Sequence, residues 1–444
     1  MPYYLAWLKS LSIYCQRRVL AIFILGFSSG LPLMLVFGVL SFWLREAGVS
    51  RADIGYFSWV ALAYAIKWLW SPLADHLQIP YLHNMLGRRR SWLLISQLAV
   101  MIAVLFMSGM DPKQELALMA AFAVLLAFAS ATQDINVDAF RIESAPEQMQ
   151  AALAAAYLTG YRLAMILASA GTLWLAALFS DNQGYDLVGW QRAYLIMALC
   201  MLPGILTTLL SKEPLSNLQQ HSAIQGNVLQ RFAAWLQQAV VAPFTDFFSR
   251  YKWHALLILA LIACYRLSDV VMGVMANVFY VDMGYSKEEV ASVSKIYGVI
   301  MTLVGAVLGG VLINRFGTLR ILFVGALLSA VTNLLFAALS QIGYDLAWLT
   351  LIISADNLSA GIATSAFIAY LSSLVNLAFT ATQYAMFSSL MLLLPKFAGG
   401  FSGHWVEQMG YGPFFVMTAV MGIPALLLII ALARYNTIKQ NAAG

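Results

Sequence analysis

Two aspartates and an amide lie close together after a long apolar segment. Leu116 to Ala129 carries no charge, and Gln133, Asp134 and Asp138 follow it. An apolar run of this kind predicts a membrane-spanning helix, and ionised side chains at bilayer depth are costly unless they face a polar cavity or a partner. Because the two aspartates are four residues apart, a helix places both on one face. We therefore predict a titratable stripe along a substrate pathway.

The composition predicts that most of the chain lies in a membrane. Of its 444 residues, 61% are hydrophobic and only 10% are charged, which is far from the composition of soluble domains. Apolar segments of about 20 residues predict twelve spanning helices, the second at 54–77 and the eleventh at 382–404. We expect an all-α polytopic membrane protein, with six-helix bundles at 1–211 and 253–444 and a cytoplasmic linker at 212–252.

Basic residues predict the orientation. Of the 25 Lys and Arg, our assignment puts 15 on one side, 5 on the other and 5 within spans, so we expect both termini in the cytoplasm. The net charge of +5 then reflects topology, and we expect no nucleic-acid partner. In the linker, helical spacing from Val228 to Phe248 favours a helix on the membrane surface; a plain helical tether is the alternative.

The two halves repeat each other. The turn Gly87–Arg90 has a counterpart at Asn314–Gly317, and Ser130–Asp134 has one at Ser354–Asn357. Two six-helix repeats are typical of major facilitator transporters, whose sites lie at the bilayer midplane between the halves. We interpret Asp75 and the basic cluster as a cytoplasmic latch that breaks and reforms between states; a solvated charge cluster is the alternative. The basic residues of this gating group are Arg88, Arg89 and Arg90.

Six short motifs are spread over nearly the whole chain. They are Leu25-Gly-Phe-Ser-Ser-Gly-Leu-Pro-Leu33, Lys67-Trp-Leu-Trp-Ser-Pro72, Gly87-Arg-Arg-Arg90, Ser130-Ala-Thr-Gln-Asp134, Gly160-Tyr-Arg162 and Ser365-Ala-Phe367. Together they resemble the motifs of the bacterial muropeptide permeases of the AmpG type, although the Gln-Asp segment is also similar to one in eukaryotic acetyl-CoA transporters.

The resemblance implies a proton-coupled importer in the bacterial inner membrane. Its substrates would be N-acetylglucosaminyl-1,6-anhydro-N-acetylmuramyl peptides, taken up by alternating access for peptidoglycan recycling and, in many Gram-negative bacteria, for β-lactamase induction. We expect a monomer in the lipid bilayer. The rival is a carrier of another anionic solute such as acetyl-CoA, but several phosphates would favour clustered Arg side chains, and this chain has dispersed single cations.

Five basic residues fall within predicted spans and are candidates for binding substrate carboxylates, since a buried cation needs a counter-charge. Arg266 and Asp269 are either an intrahelical pair or part of the substrate site. Lys67 either binds substrate or extends to the cytoplasmic interface. Arg162 pairs with Asp134 or Asp138, binds substrate, or does both. The remaining two are Lys295 and Lys396. Lys396 follows Pro395 and precedes Gly399-Gly400 in a helix that we expect to be broken, with freed carbonyls lining a cavity.

Proton coupling requires a carboxylate whose pKa changes when a cation approaches. Asp134 and Asp138 are the candidates, although Asp138 has the alternative of fixing its helix to Arg162 or Arg141. Asp356 matches Asp134 by internal position, and its candidate partners are Lys396 and Arg266. Gln133 is a candidate amide for the substrate. Four tyrosines near mid-span offer faces for sugar rings, namely Tyr64, Tyr161, Tyr265 and Tyr370.

No motif of an enzyme is present. The five histidines lack metal-ligand spacing, and the chain has neither H-E-x-x-H nor a Gly-rich phosphate loop. We therefore expect no catalytic residues, metal or cofactor. A membrane enzyme would need an activated nucleophile, and a muropeptide sensor would need a soluble output domain.

Overall fold

The computed structural model describes residues 16–71, 74, 77–144, 147–180, 185–214, 237, 241–374 and 380–443. Helices account for most of these residues, and none of them forms a strand. The long helical segments are α1 (Arg17–Glu46), α2 (Arg51–Phe57 and Leu62–Ile66), α3 (Arg88–Ser108), α4 (Leu116–Glu143), α5 (Ala156–Leu178), α6 (Leu187–Leu210), α7 (His254–Asp282), α8 (Lys287–Ile313), α9 (Thr318–Ile342), α10 (Leu346–Leu371), α11 (Thr380–Gly399) and α12 (Tyr411–Arg434).

Ten of these segments are long and apolar enough to cross a membrane. The two others match the predicted second and eleventh spans. α2 is divided by a 3-10 turn at Ser58–Ala61, and a second 3-10 turn at Lys67–Leu69 follows directly after it. α11 includes Pro395 and Lys396 and is less apolar. The all-α membrane fold is confirmed, and the segments are consistent with twelve spans.

α11 is broken at the glycines that follow Pro395, as its sequence predicts. The helix passes through Pro395 and ends at Gly399, and a short helix, Ser402–Met409, follows it. The backbone carbonyl of Phe397 near this end accepts a hydrogen bond from Trp59 Nε1 at 2.9 Å. The expectation that freed carbonyls of this segment line a cavity stays a prediction.

Contacts between residues divide the chain into two compact units. Unit 1 contains Met1–Val49, Ile66–Asn217 and Ser286–Ala291, and unit 2 contains Ser50–Ala65, Leu218–Tyr285 and Ser292–Gly444. Two of the boundaries fall where the helix type changes: beside the 3-10 turn Lys67–Leu69 of α2 and within the π-helical stretch Val290–Tyr297 of α8. The division predicted from the sequence, with a linker at 212–252, stays a prediction.

The linker is described only in part. Most of the predicted surface helix Val228–Phe248 lies outside the described residues, which include the connecting helix Ala242–Tyr251. Phe247 of that helix is fully buried beside Phe387 of α11. Arg250 donates to the backbone carbonyl of Leu374 and to Gln383 Oε1. This end of the linker is therefore packed into unit 2.

Unit 1 is built on close packing of α1 against α5. Gly26 and Gly30 lie against the backbone of Tyr157 and Tyr161, where an added Cβ would come within 2.3 Å of a carbonyl oxygen. Gly160 lies equally close to the carbonyl of Phe23. Small residues let helix backbones approach in this way inside a membrane. The core beside this contact contains Val19, Ile22, Leu25, Leu93, Val137, Phe140, Leu153 and Ala156.

Unit 2 uses the same device where α8 packs on α10. A Cβ at Gly305 would lie 2.2 Å from the carbonyl oxygen of Leu358, and one at Gly361 would lie 2.2 Å from that of Thr302. Gly309 also contacts α10, but a Cβ at Gly310 would meet nothing within 4 Å. The close packing of α8 on α10 therefore involves Gly305 and Gly309.

Two variants in α8 test this packing. Gly305→Ala should lower the stability of the protein by about 1–3 kcal/mol, because the added methyl group forces α8 and α10 apart. Gly310→Ala adds the same methyl group to the same helix without a clash, so it should be neutral or stabilising by up to about 1 kcal/mol. Melting temperatures of the purified proteins in detergent measure both effects. Equal melting temperatures would contradict the close contact.

The repeated turns have matching backbone geometry. Gly87, before α3, and Gly317, before α9, have φ values of +88° and +85°, in the region that favours glycine. Each turn places a basic segment at the start of the following helix. The internal repeat read from the sequence thus extends to the conformation of these turns.

Candidate substrate and proton site

Asp134 lies within α4 and is buried, with 6% of its surface exposed. Beside it, Gln133 is fully buried and its Nε2 atom donates to Ser28 Oγ of α1 at 2.7 Å. Gln133 Oε1, Asp134 Oδ1 and Ser130 Oγ are buried without a hydrogen-bond partner in the described part of the chain. Unpaired buried polar atoms are costly. This cluster is therefore a place where a proton on Asp134 would relieve an energetic penalty.

The charges that act on Asp134 come from two helices. The Lys67 ammonium and the Asp138 carboxylate are its electrostatic neighbours, and Ser29 Oγ is a hydrogen-bonding neighbour. Lys67 lies in a 3-10 turn next to the break in α2. A lysine on an irregular turn is free to move relative to α4 more easily than one in a continuous helix. The arrangement combines a buried acid with a cation on a separate element.

The other two predicted partners of this acid are more exposed. Asp138 pairs with Arg141 at 3.4 Å, and 46% of its side chain is exposed. Arg162 is exposed, and the structure gives it no ion pair within the described residues. The predicted pairing of Arg162 with Asp134 or Asp138 is therefore not formed among the described residues. Substrate contact stays a prediction for Arg162.

Unit 2 contains its own polar cluster. α7 is interrupted at Arg266, whose φ and ψ of −99° and 8° leave the helical region. The Arg266 guanidinium binds Asp269 at 2.6 Å, as one of the two sequence interpretations stated. Arg266 and Asp269 are both electrostatic neighbours of Lys396. A break in α7 thus brings three charges together.

Asp356 does not pair with either predicted cation. Its Oδ1 atom accepts a hydrogen bond from Thr332 of α9 at 3.1 Å, and Asp269 is its electrostatic neighbour. No ion pair of Asp356 with Lys396 or Arg266 occurs among the described residues, because Arg266 is already bound to Asp269. Lys295 donates a hydrogen bond to Asn277 Oδ1 at 2.6 Å, so the partner of this ammonium group is a neutral amide and not a carboxylate.

Two of the four candidate tyrosines are part of the core. Tyr265 stacks on Phe367 with 4.4 Å between ring centroids, and its hydroxyl donates to the carbonyls of Leu322 and Ala363. Tyr370 is 7% exposed within the same core. Both rings are largely packed, although Tyr265 also lines the small cavity beside Arg266, and stacking of a sugar on either ring stays a prediction. Tyr64 and Tyr161 are half-buried.

The arginine cluster at the start of α3 is bound within unit 1. Arg89 makes hydrogen bonds of 2.6–3.2 Å to the Glu143 carboxylate at the end of α4. The Glu213 carboxylate accepts the backbone N–H groups of Arg89 and Arg90 and so caps α3, as acids do at helix N-termini. Arg88 lies 3.6 Å from Glu143. Asp75 lies outside the described residues, and the latch stays a prediction.

Two charged clusters were not recognised from the sequence. In unit 1, Lys287 Nζ lies 2.9 Å from Glu46 Oε1, and Trp190 Nε1 donates to Glu46 Oε2 at 2.6 Å. In unit 2, Arg51 binds Asp282 at 2.7 Å, and Tyr411 donates to the same carboxylate. The two ion pairs join residues far apart in the sequence, so local patterns do not predict them. The capping box at Ser286 is the sequence signal near Lys287, and it predicts only where α8 begins.

Comparison with known proteins identifies the family. The profile of the Major Facilitator Superfamily matches residues 22–394. The anhydromuropeptide permease of Escherichia coli (strain K12) is 36% identical over 435 residues, which cover 97% of this chain and 83% of that protein. The chain belongs to the AmpG family of the major facilitator superfamily. Putative transporter AmpG 4 of Rickettsia felis is 32% identical, with 95% of this chain and 97% of that protein covered.

Solved structures agree with the superfamily fold. A D-xylose-proton symporter has a TM-score of 0.65 at 14% identity, covering 93% of this chain and 95% of that one. A peptide transporter POT in complex with sulfate has a TM-score of 0.66 at 15% identity, covering 95% and 94%. The AmpG-family protein is thus a multi-pass membrane transporter and not an enzyme, as predicted.

Proposed function

We propose that this AmpG-family protein imports anhydromuropeptides together with protons by alternating access. It does so across the bacterial inner membrane, as a monomer with both termini in the cytoplasm. The import serves peptidoglycan recycling and, through the imported muropeptides, β-lactamase induction. The similarity to the E. coli anhydromuropeptide permease supports the substrate, and the excess of basic residues on one predicted side supports the orientation.

One observation carries the proton coupling. Asp134 is a buried carboxylate in a membrane-spanning helix, and a lysine on a broken helix is its electrostatic neighbour. Burial favours the neutral acid and an approaching cation favours the ionised one. When Lys67 moves relative to α4, the Asp134 carboxyl group would therefore release a proton as the lysine approaches and bind one as it leaves. Asp138 is more exposed and already paired with Arg141, so we assign it the smaller part.

Transport into proteoliposomes tests the proposal. Purified protein, a labelled anhydromuropeptide and an imposed pH gradient should give accumulation that collapses when a protonophore removes the gradient. Accumulation that persists without any proton gradient would remove the coupling. Absence of both binding and uptake would remove the substrate assignment.

Acetyl-CoA serves as the competing anion in the same assay. Its phosphates would favour several arginines in one place, whereas Arg266 is bound to Asp269 and Lys295 to Asn277. An excess of acetyl-CoA should leave muropeptide uptake unchanged. Uptake of labelled acetyl-CoA by the same vesicles would instead favour the rival carrier.

A further inference from the structure

Lys295 lies in the irregular part of α8 and contacts α7. The helix is π-helical from Val290 to Tyr297, and π-helical turns occur frequently at functional sites. The Lys295 side chain is half-buried, and its ammonium group donates a hydrogen bond to the Oδ1 atom of Asn277 on α7 at 2.6 Å. Asn277 is itself buried, with 5% of its surface exposed. The ammonium group is therefore held beside α7 by a partner that carries no charge.

Three acids on the neighbouring helices are engaged with other groups. On α7, Asp269 and Asp282 are each bound to an arginine. On α10, Asp356 accepts a hydrogen bond from a threonine hydroxyl. Lys295 forms no ion pair with any residue that the structure describes. A cation in a membrane-spanning segment is costly without a counter-charge, so an anion supplied from outside the chain would be stabilised at Lys295.

The hydrogen-bonding capacity of Lys295 indicates the type of anion. An ammonium group has three N–H donors, and Asn277 accepts from one of them. The other two are available to an acceptor from outside the described part of the chain. One charge and two donors match a single carboxylate group, whereas an anion with several phosphates would favour several cations in one place.

The other four basic residues within predicted spans differ from Lys295. Arg266 binds an aspartate three residues away. Lys67 and Lys396 each have an aspartate as an electrostatic neighbour. Arg162 is exposed, so burial imposes no cost on its charge. Lys295 therefore combines partial burial with a neutral partner, and its charge gains most from a bound anion.

We propose that the Lys295 ammonium group binds a carboxylate of the transported substrate, and that Asn277 positions this ammonium group. The inference rests on the proposed function, because the peptide of an anhydromuropeptide supplies the carboxylate. A neutral residue at position 277 is part of the assignment. An acid there would neutralise the ammonium group and remove its attraction for the substrate.

Two probes that differ only in charge test the assignment. The first is an anhydromuropeptide whose peptide is a single alanine, so that it has one carboxylate, and the second is its C-terminal carboxamide. In wild-type proteoliposomes, the carboxylate should inhibit uptake of a labelled anhydromuropeptide at a concentration at least about tenfold lower than the carboxamide, as expected for one hydrogen bond to a charged group. Calorimetric titration of the purified protein in detergent gives the same ratio for variants that do not transport.

Variants then assign this ratio to the two side chains. In Lys295→Gln the ratio should fall to about 1, and Lys295→Arg, which keeps the charge, should retain part of it. Asn277→Asp leaves the lysine in place and gives it a counter-charge, so it should also lower the ratio to about 1 without lowering the melting temperature. Arg320→Gln removes an exposed cation elsewhere in unit 2 and should keep the wild-type ratio.

The outcomes separate this inference from the proposed function. Uptake by the wild-type protein with equal inhibition by both probes would overturn the carboxylate assignment and leave the permease function intact. A ratio that persists in Lys295→Gln, or that is lost in Arg162→Gln instead, would place the discrimination at another residue and also overturn the assignment. Absence of both uptake and binding for every anhydromuropeptide would remove the permease function, and the role of Lys295 with it.

Discussion

Replacing Asp134 by Asn is expected to abolish proton-driven accumulation while leaving exchange of substrate across the membrane. Asn keeps the size and hydrogen-bonding capacity of the side chain and cannot release a proton. For a symporter of one proton per substrate, a pH difference of one unit supports about tenfold accumulation, since one unit corresponds to about 1.4 kcal/mol. In the variant, the ratio of inside to outside concentration should fall to about 1.

The measurement compares two modes of transport in the same vesicles. Accumulation is followed with a pH gradient, and counterflow is followed with unlabelled substrate inside and no gradient. Glu115→Gln changes an exposed acid just before α4 and should keep both modes. Asp138→Asn should reduce accumulation less than Asp134→Asn does, because Asp138 is half exposed and paired with Arg141. Full accumulation by Asp134→Asn would remove this residue from the coupling.

Hydrophobic length predicted most of the fold, because membrane solvation acts on each segment separately. A segment of about 20 apolar residues must span, whatever its neighbours are. Where the helix is irregular, sequence was less informative. The glycines after Pro395 indicated the break in α11, but nothing in the sequence announced the 3-10 turns at Ser58–Ala61 and Lys67–Leu69. Those depend on which backbone groups find partners in neighbouring helices.

The candidate site was predicted by residue type but not by contact. The sequence alone identifies ionisable residues within spans as unusual, because the energetic cost of such a residue in lipid is a local property. Their partners were not, because pairing is decided by how helices rotate against one another. Arg266 pairs with Asp269 three residues away, and the predicted partners of Arg162 and Asp356 lie elsewhere. Tyr265 and Tyr370 face the core for the same reason.

The arginine cluster at the start of α3 makes structural contacts within unit 1 that the sequence did not predict. The sequence suggested that Arg88, Arg89 and Arg90 act together in a latch. In the structure Arg89 is buried against Glu143, and Arg90 donates to the carbonyls of Thr208 and Leu209 at the end of α6. Cations at a helix C-terminus are favourable because carbonyls there lack partners. The cluster therefore also fastens α3, α4 and α6 within unit 1.

Removing Lys287 is expected to lower the stability of the protein strongly. Lys287 is 7% exposed, and its ammonium lies 2.9 Å from Glu46 and 5.5 Å from the Trp190 ring centre. Lys287→Met would leave the Glu46 carboxylate buried without its cation, and breaking a buried pair in this way costs about 3–5 kcal/mol. The melting temperature in detergent should fall by roughly 3–5 °C for a loss of this size.

A double variant distinguishes charge from packing at this position. In Glu46→Gln with Lys287→Met, no buried charge is left unpaired, and Gln can still accept the hydrogen bond of Trp190. The double variant should therefore be more stable than Lys287→Met alone, because the penalty of an isolated charge is removed. Glu288→Gln, at the exposed neighbouring position, should shift stability by no more than about 0.5 kcal/mol. If the double variant is as unstable as the single one, packing by the lysine stem rather than its charge holds the start of α8 in unit 1.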